Sequence, residues 1–189
     1  MTKLINKEEI RKGVELILGG LGVDGNAEGL RDTATRVSNF YAEFFSGLHV
    51  DPRESLKLYH ADNSDELIIA KDISFFSMCE HHLLPFFGKV HLAYIPENNT
   101  IAGFSRLLRM VELISRRPQI QERMTTEIAD TIVHCLHPKG VLVIVEAEQL
   151  CLTMRGLQQP GVRTISSAVR GVLKKEATRQ EALALIKST

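Results

Sequence analysis

In this 189-residue chain, two strand-like runs stand on each side of a pair of amphipathic helical segments, and that order constrains the fold more than any single motif does. Residues 67–76 (LIIAKDISFF) and 86–96 (FFGKVHLAYIP) read as strands, the second closed by the turn-forming PENNT. Residues 104–117 carry a helical apolar stripe, Pro118 interrupts it, and 118–137 resume a helix. After Pro138-Lys139-Gly140, residues 141–156 and 162–171 are strand-like again. Strands, then helices, then strands predict an α+β fold, an antiparallel sheet covered on one side by helices. The other sheet face and its edges then need cover, which oligomerisation can supply.

The first part of the chain is helical instead. Residues 6–18 place Ile10, Val14, Ile17 and Leu18 on one face behind an Asn6 cap, and 28–45 form a second helix ended at Gly47. A last helix is predicted over 175–187. The expected division is a helical region 1–60 and an α+β catalytic region 61–189, forming one compact unit.

Lysine plus arginine equals aspartate plus glutamate, at 23 each, which gives no support for nucleic-acid or membrane partners. No apolar run reaches bilayer length, and MTKLINKEEIRKG has no apolar signal core, so a cytoplasmic location is expected. The cysteines, Cys79, Cys135 and Cys151, are too few for a disulfide framework. Metal binding, nucleophilic catalysis and plain burial are open for each, with Cys135 read as core.

Chemistry concentrates at Ser77-Met78-Cys79-Glu80-His81-His82. Cys79 and His82 have the C-x2-H spacing of two ligands on one bend, and thiolate and imidazole suit zinc. Cys151 is a candidate third ligand, and three protein ligands leave one position open, as in a catalytic rather than structural site. By itself C-x2-H is a weak signal, and inert buried cysteines are common. His49, His60, His91, His134 and His137 lack ligand spacing and are read as surface or packing residues.

Longer motifs add what spacing cannot. SMCEHHLLPFFGKVHLAYIP, GFSRLLRMVELISRRPQIQER, VEAEQLCLTMRGLQQPG and SSAVRG together resemble the type I GTP cyclohydrolases. The resemblance implies a tunnelling-type fold, a homodecamer with active sites at subunit interfaces, and conversion of GTP and water to formate and 7,8-dihydroneopterin triphosphate. It implies Zn2+ on Cys79, His82 and Cys151, with His81 as the acid that protonates the guanine imidazole ring. It implies that Glu122, with Gln121 beside it, grips the guanine edge. Ser105, Arg106, Arg109 and Arg155 match positions that hold the triphosphate, although the family usually has lysine where Arg106 stands.

One departure bears on the chemistry. The family usually reads histidine-x-cysteine where this chain reads Gln149-Leu150-Cys151. The histidine has a second catalytic role near the metal, and glutamine does not titrate near neutral pH. Two alternatives therefore stand beside the full reaction: a related purine hydrolase with an incomplete or altered reaction, and a non-catalytic zinc-stabilised scaffold. If the lost proton shuttle limits the rate, Gln149→His raises GTP turnover at unchanged zinc content. An equal or lower steady-state rate in a folded, zinc-replete variant overturns that expectation.

Overall fold

The structure is a computed structural model that describes residues 4–62 and 65–188. Helices α1 (Lys7–Gly20) and α2 (Thr33–Phe44) lead into strands β1 (Leu58–His60), β2 (Ile68–Cys79), β3 (Pro85–Ile95) and β4 (Thr100–Ala102). Then come α3 (Phe104–Ser115), β5 (Pro118–Gln119), α4 (Gln121–Leu136), β6 (Gly140–Gln149), the one-turn α5 (Leu150–Thr153), β7 (Thr164–Gly171) and α6 (Glu176–Lys187). The main sheet has the order β5-β2-β3-β6-β7, antiparallel except where β5 runs parallel to β2. β1 and β4 form a separate antiparallel pair.

The predicted α+β architecture is present, with α3 and α4 on one sheet face. Leu107, Met110 and Ile114 from α3 and Ile128 and Ile132 from α4 are sealed against Val90, Leu92 and Val143. Each such side chain contributes about 1.5–3 kcal/mol on burial, so this layer dominates stability. The second face is not left wholly to an oligomer. Ala182 of α6 packs with Ala93, Leu142 and Leu173 in a smaller cluster. Cover on both faces is why the middle of β3 is buried without the usual alternation.

Several boundaries moved for identifiable reasons. α1 is capped as predicted, the Asn6 side chain accepting the Glu8 and Glu9 N–H groups. Its apolar face is only partly covered: Ile10, Val14 and Leu18 are half-buried, whereas Ile17 is exposed. α2 starts at Thr33 rather than 28, because residues 24–32 are spent on turns, one of them closed by the Asp24 carboxylate on the Asn26 N–H at 2.9 Å. α4 starts at Gln121, since Pro118 and Gln119 bridge Met78 and Cys79. β6 stops at Gln149, opposite Phe86. The next residue of β3 is Pro85, which has no N–H to donate. The chain then leaves the sheet through α5 instead of continuing as strand to 156.

A bulge interrupts β2, where the register jumps from Ala70↔Leu92 to Ile73↔Val90. Asp72 is left-handed there (φ 60), and its N–H is satisfied by Nδ1 of the buried His91 at 3.2 Å. This gives His91 the packing role expected of it.

Gly88 tests the closeness of β3 to β6. A Cβ at this position would lie 1.9 Å from the Glu146 carbonyl oxygen on the paired strand. Gly88→Ala is expected to destabilise the fold by about 1–3 kcal/mol, by overpacking. Chemical denaturation of the two proteins checks this, and equal midpoints would contradict it.

Candidate active site

Cys79 ends β2 and is buried, and the chain reverses immediately after it. Leu83 adopts a left-handed conformation (φ 51) and returns its N–H to the Cys79 carbonyl at 2.8 Å. The Cys79 N–H in turn reaches the Leu84 carbonyl at 2.9 Å. This tight loop brings His82 back over Cys79. It is anchored from outside by the Glu80 N–H on the Gln119 carbonyl (3.1 Å) and by an ion pair between Glu80 and Arg123. The Arg123 guanidinium holds the Glu80 carboxyl below its ordinary range. Spacing arguments did not reveal this brace, although Glu80 and Arg123 both lie inside the motifs that carry the resemblance.

Cys151 arrives from the other side of β3, on α5, which directly follows β6. The Sγ atoms of Cys79 and Cys151 and a ring nitrogen of His82 lie within 4.8 Å of one another. One ion with bonds of about 2.0–2.3 Å can take all three with small side-chain movement. The electrostatics favour a cation. Burial and the neighbouring Cys79 thiol both push the Cys151 thiol above its ordinary range. A thiol that resists ionisation by itself becomes a good ligand when a divalent ion supplies the positive charge. Two sulfurs and one imidazole are the donor set of a zinc site with an open position.

The cluster opens into a cleft of about 330 Å3, lined also by His81, Glu122, Gln149 and Arg155. His81 is exposed, with Nδ1 3.7 Å from Cys79 Sγ. Glu122 stands exposed on the first turn of α4. Arg155 Nη1 lies 2.6 Å from His82 Nε2. A guanidinium only donates, so this nitrogen of His82 is the acceptor.

Residues 10–187 match the family model for GTP cyclohydrolase I. The chain belongs to that family. GTP cyclohydrolase 1 of Bacillus subtilis (strain 168) is 53% identical over 186 residues, covering 98% of both chains. GTP cyclohydrolase 1 of Carboxydothermus hydrogenoformans is 51% identical over 184 residues, covering 97% of this chain and 96% of the relative. Among solved structures, the archaeosine synthase QueF-Like in the apo form aligns with a TM-score of 0.46 at 19% identity, over 59% of this chain and 97% of that one.

Within this chain, the residues named from the sequence do not all come together. Cys79, His81, His82, Gln121, Glu122, Gln149, Cys151 and Arg155 share the cleft. Ser105 and Arg109 instead line a groove of about 670 Å3 between α3 and β2, which has no wall residue in common with the cleft. Arg109 is paired there with Glu112 at 2.6 Å, and the half-buried Arg106 lines neither space. Gln121 is in the cleft wall, but it is 3% exposed and its amide is engaged by the protein itself.

Cys151→Ala removes one of the three candidate ligands and leaves Cys79 and His82. The purified variant is expected to lose nearly all zinc on dialysis against a mild chelator, as measured by atomic emission. Retention of one equivalent per chain would rule out Cys151 as a ligand.

Proposed function

We propose that this chain hydrolyses GTP at guanine C8, releases formate, and rearranges the ribose to give 7,8-dihydroneopterin triphosphate. The observation that carries this reading is the convergence of Cys79, His82 and Cys151 on one side of a cleft that also holds His81 and Glu122. Bound zinc supplies Lewis-acid activation of water there. The protein supplies the rest. His81 is positioned by the loop after β2 to give a proton to N7 and so make C8 more electrophilic. Glu122 accepts from the guanine N1–H and exocyclic amine, a donor pair that adenine lacks. Its place at the start of α4 also suits a carboxylate, since the free N–H groups of the first turn favour negative charge.

The triphosphate needs cations. Arg155 offers one at the cleft itself, and its exposed guanidinium can form paired bonds to phosphate oxygens. Ser105, Arg106 and Arg109 serve the same ligand from a neighbouring subunit. Their separation from the cleft within one chain supports an assembly in which the groove of one copy faces the cleft of the next. The exposed apolar side chains Leu16, Ile17 and Leu21 around α1 also support burial against other copies. The expected assembly is a homodecamer acting in the cytoplasm, without nucleic-acid or membrane partners. None of the described helices is long and apolar enough to cross a membrane.

A second reading is favoured by Gln149, whose amide cannot carry protons through the later steps. In that case ring opening occurs and a formamide intermediate accumulates. Incubation with GTP, following formate and the fluorescent pterin formed on oxidation, separates the two. Stoichiometric formate and pterin support the full reaction, and a formamide without pterin supports the truncated one. No consumption of GTP overturns both.

Subunit sharing has its own test. Cys151→Ala and Arg109→Ala are each expected to lower turnover by about 100-fold or more, through the metal and the phosphates respectively. Co-refolded mixtures should regain part of the wild-type rate, because some interfaces then combine an intact cleft with an intact groove. Mixtures no more active than their parents would show that each chain acts alone.

A further inference from the structure

The amide of Gln121 uses its whole hydrogen-bonding capacity inside the protein. Nε2 donates to the Val145 carbonyl at 2.9 Å and to the Thr164 carbonyl at 3.1 Å. Those acceptors belong to β6 and β7, so the direction of this amide is set by the backbone. Oε1 must then face the other way, where it accepts from Gln149 Nε2 (2.9 Å) and from the Thr164 hydroxyl (2.5 Å). The consequence passes on to Gln149. Its Nε2 is committed to Gln121 Oε1 and to Thr164 Oγ1 at 3.1 Å, which satisfies both hydrogens. Turning the Gln149 amide over would bring two carbonyl oxygens together and leave Thr164 Oγ1 without its donor.

Gln149 Oε1 is thus left on the other side, next to Cys151, with Sγ at 3.7 Å. We infer that Gln121 and Thr164 form an orientation relay, that it holds Gln149 as a fixed, uncharged acceptor facing the cleft, and that Thr164 is therefore a positioning residue for the reaction. The inference rests on the GTP-hydrolysing reading of the cleft. Thr164 suits the role by geometry. It starts β7, is half-buried, and its hydroxyl meets both amides at once. The same seam continues one turn along α4, where Thr125 Oγ1 and Ser166 Oγ lie 2.7 Å apart, so the helix is tied to the edge strand independently of Thr164. Loss of the Thr164 hydroxyl should therefore loosen the Gln149 amide, leaving its bond to Gln121 alone, without releasing α4.

A double-mutant cycle on the zinc-loaded protein tests this, using wild type, Thr164→Val, Gln149→Met and the double variant with GTP. Thr164→Val is expected to lower kcat by about ten-fold with KM within about two-fold, and Thr164→Ser to recover most of the loss. On the Gln149→Met background, Thr164→Val should have almost no further effect, because Thr164 acts through Gln149. Zinc transfer to a chromophoric chelator should proceed at the wild-type rate in Thr164→Val. Should the valine variant melt early, Thr164→Ala replaces it in the same cycle. Unchanged kcat in Thr164→Val, an equal loss on both backgrounds, or faster zinc release would each overturn the inference. Wild-type protein that does not consume GTP would overturn the underlying reading and the inference with it.

Discussion

The antiparallel pairing of β3 with both β2 and β6 is the constraint on which the site depends. Two strands that are each antiparallel to a third run in the same direction, so β2 and β6 leave the sheet at the same end. The register makes this quantitative: Phe86 of β3 is opposite Ser77 on one side and Gln149 on the other. Two residues beyond that row, on each outer strand path, stand Cys79 and Cys151. A slip of one residue in either ladder would turn the strand's side chains to the opposite face and separate the sulfurs. Gly88 belongs to the same constraint, since only a residue without Cβ allows β6 this close two residues before the end of the shared ladder.

This explains what the sequence could and could not reveal. Cys79 and His82 are close in the chain, and their spacing already suggests a bend with two ligands. Cys151 lies far away, and its proximity is a property of register, which local pattern does not encode. The long motifs supplied it by resemblance. The strand and helix order around residues 67–171 was legible because its apolar periods are strong. The two-residue β5, the early end of β6 and the cover supplied by α6 were not, since each depends on a partner elsewhere: Met78 and Cys79 for the first, Pro85 for the second, Ala93 and Leu142 for the third. The brace of Glu80 on Arg123 is of the same kind.

Charge is arranged locally although the chain as a whole is neutral. Desolvation and the neighbouring thiol make a lone thiolate at Cys151 costly. That cost is what ties the sulfur pair to a divalent ion. The cleft then adds side chains of both signs beside the cluster, Glu122 and Arg155. Among the described residues neither has an ion-pair partner, unlike Glu80 and Arg123 on the outside of the loop, and Arg155 donates only to His82 Nε2. Charges that brace the loop are ion-paired, whereas those facing the cleft are not.

Gln149 is the point at which family pattern and local physics meet. The relay from Gln121 demands a donor on one side of residue 149 and leaves an acceptor on the cleft side. An imidazole satisfies the same demand: one nitrogen carries hydrogen toward Gln121 Oε1, and the other keeps its lone pair toward the cleft. Glutamine and histidine therefore share a direction of polarity at this position, and the surrounding donors and acceptors accommodate either. They differ in one property, because a cleft-facing imidazole nitrogen can take up a proton near neutral pH and an amide oxygen cannot. The replacement thus removes basicity while conserving orientation. Any defect in this enzyme should accordingly appear in the steps that move protons, with metal binding and guanine recognition left intact.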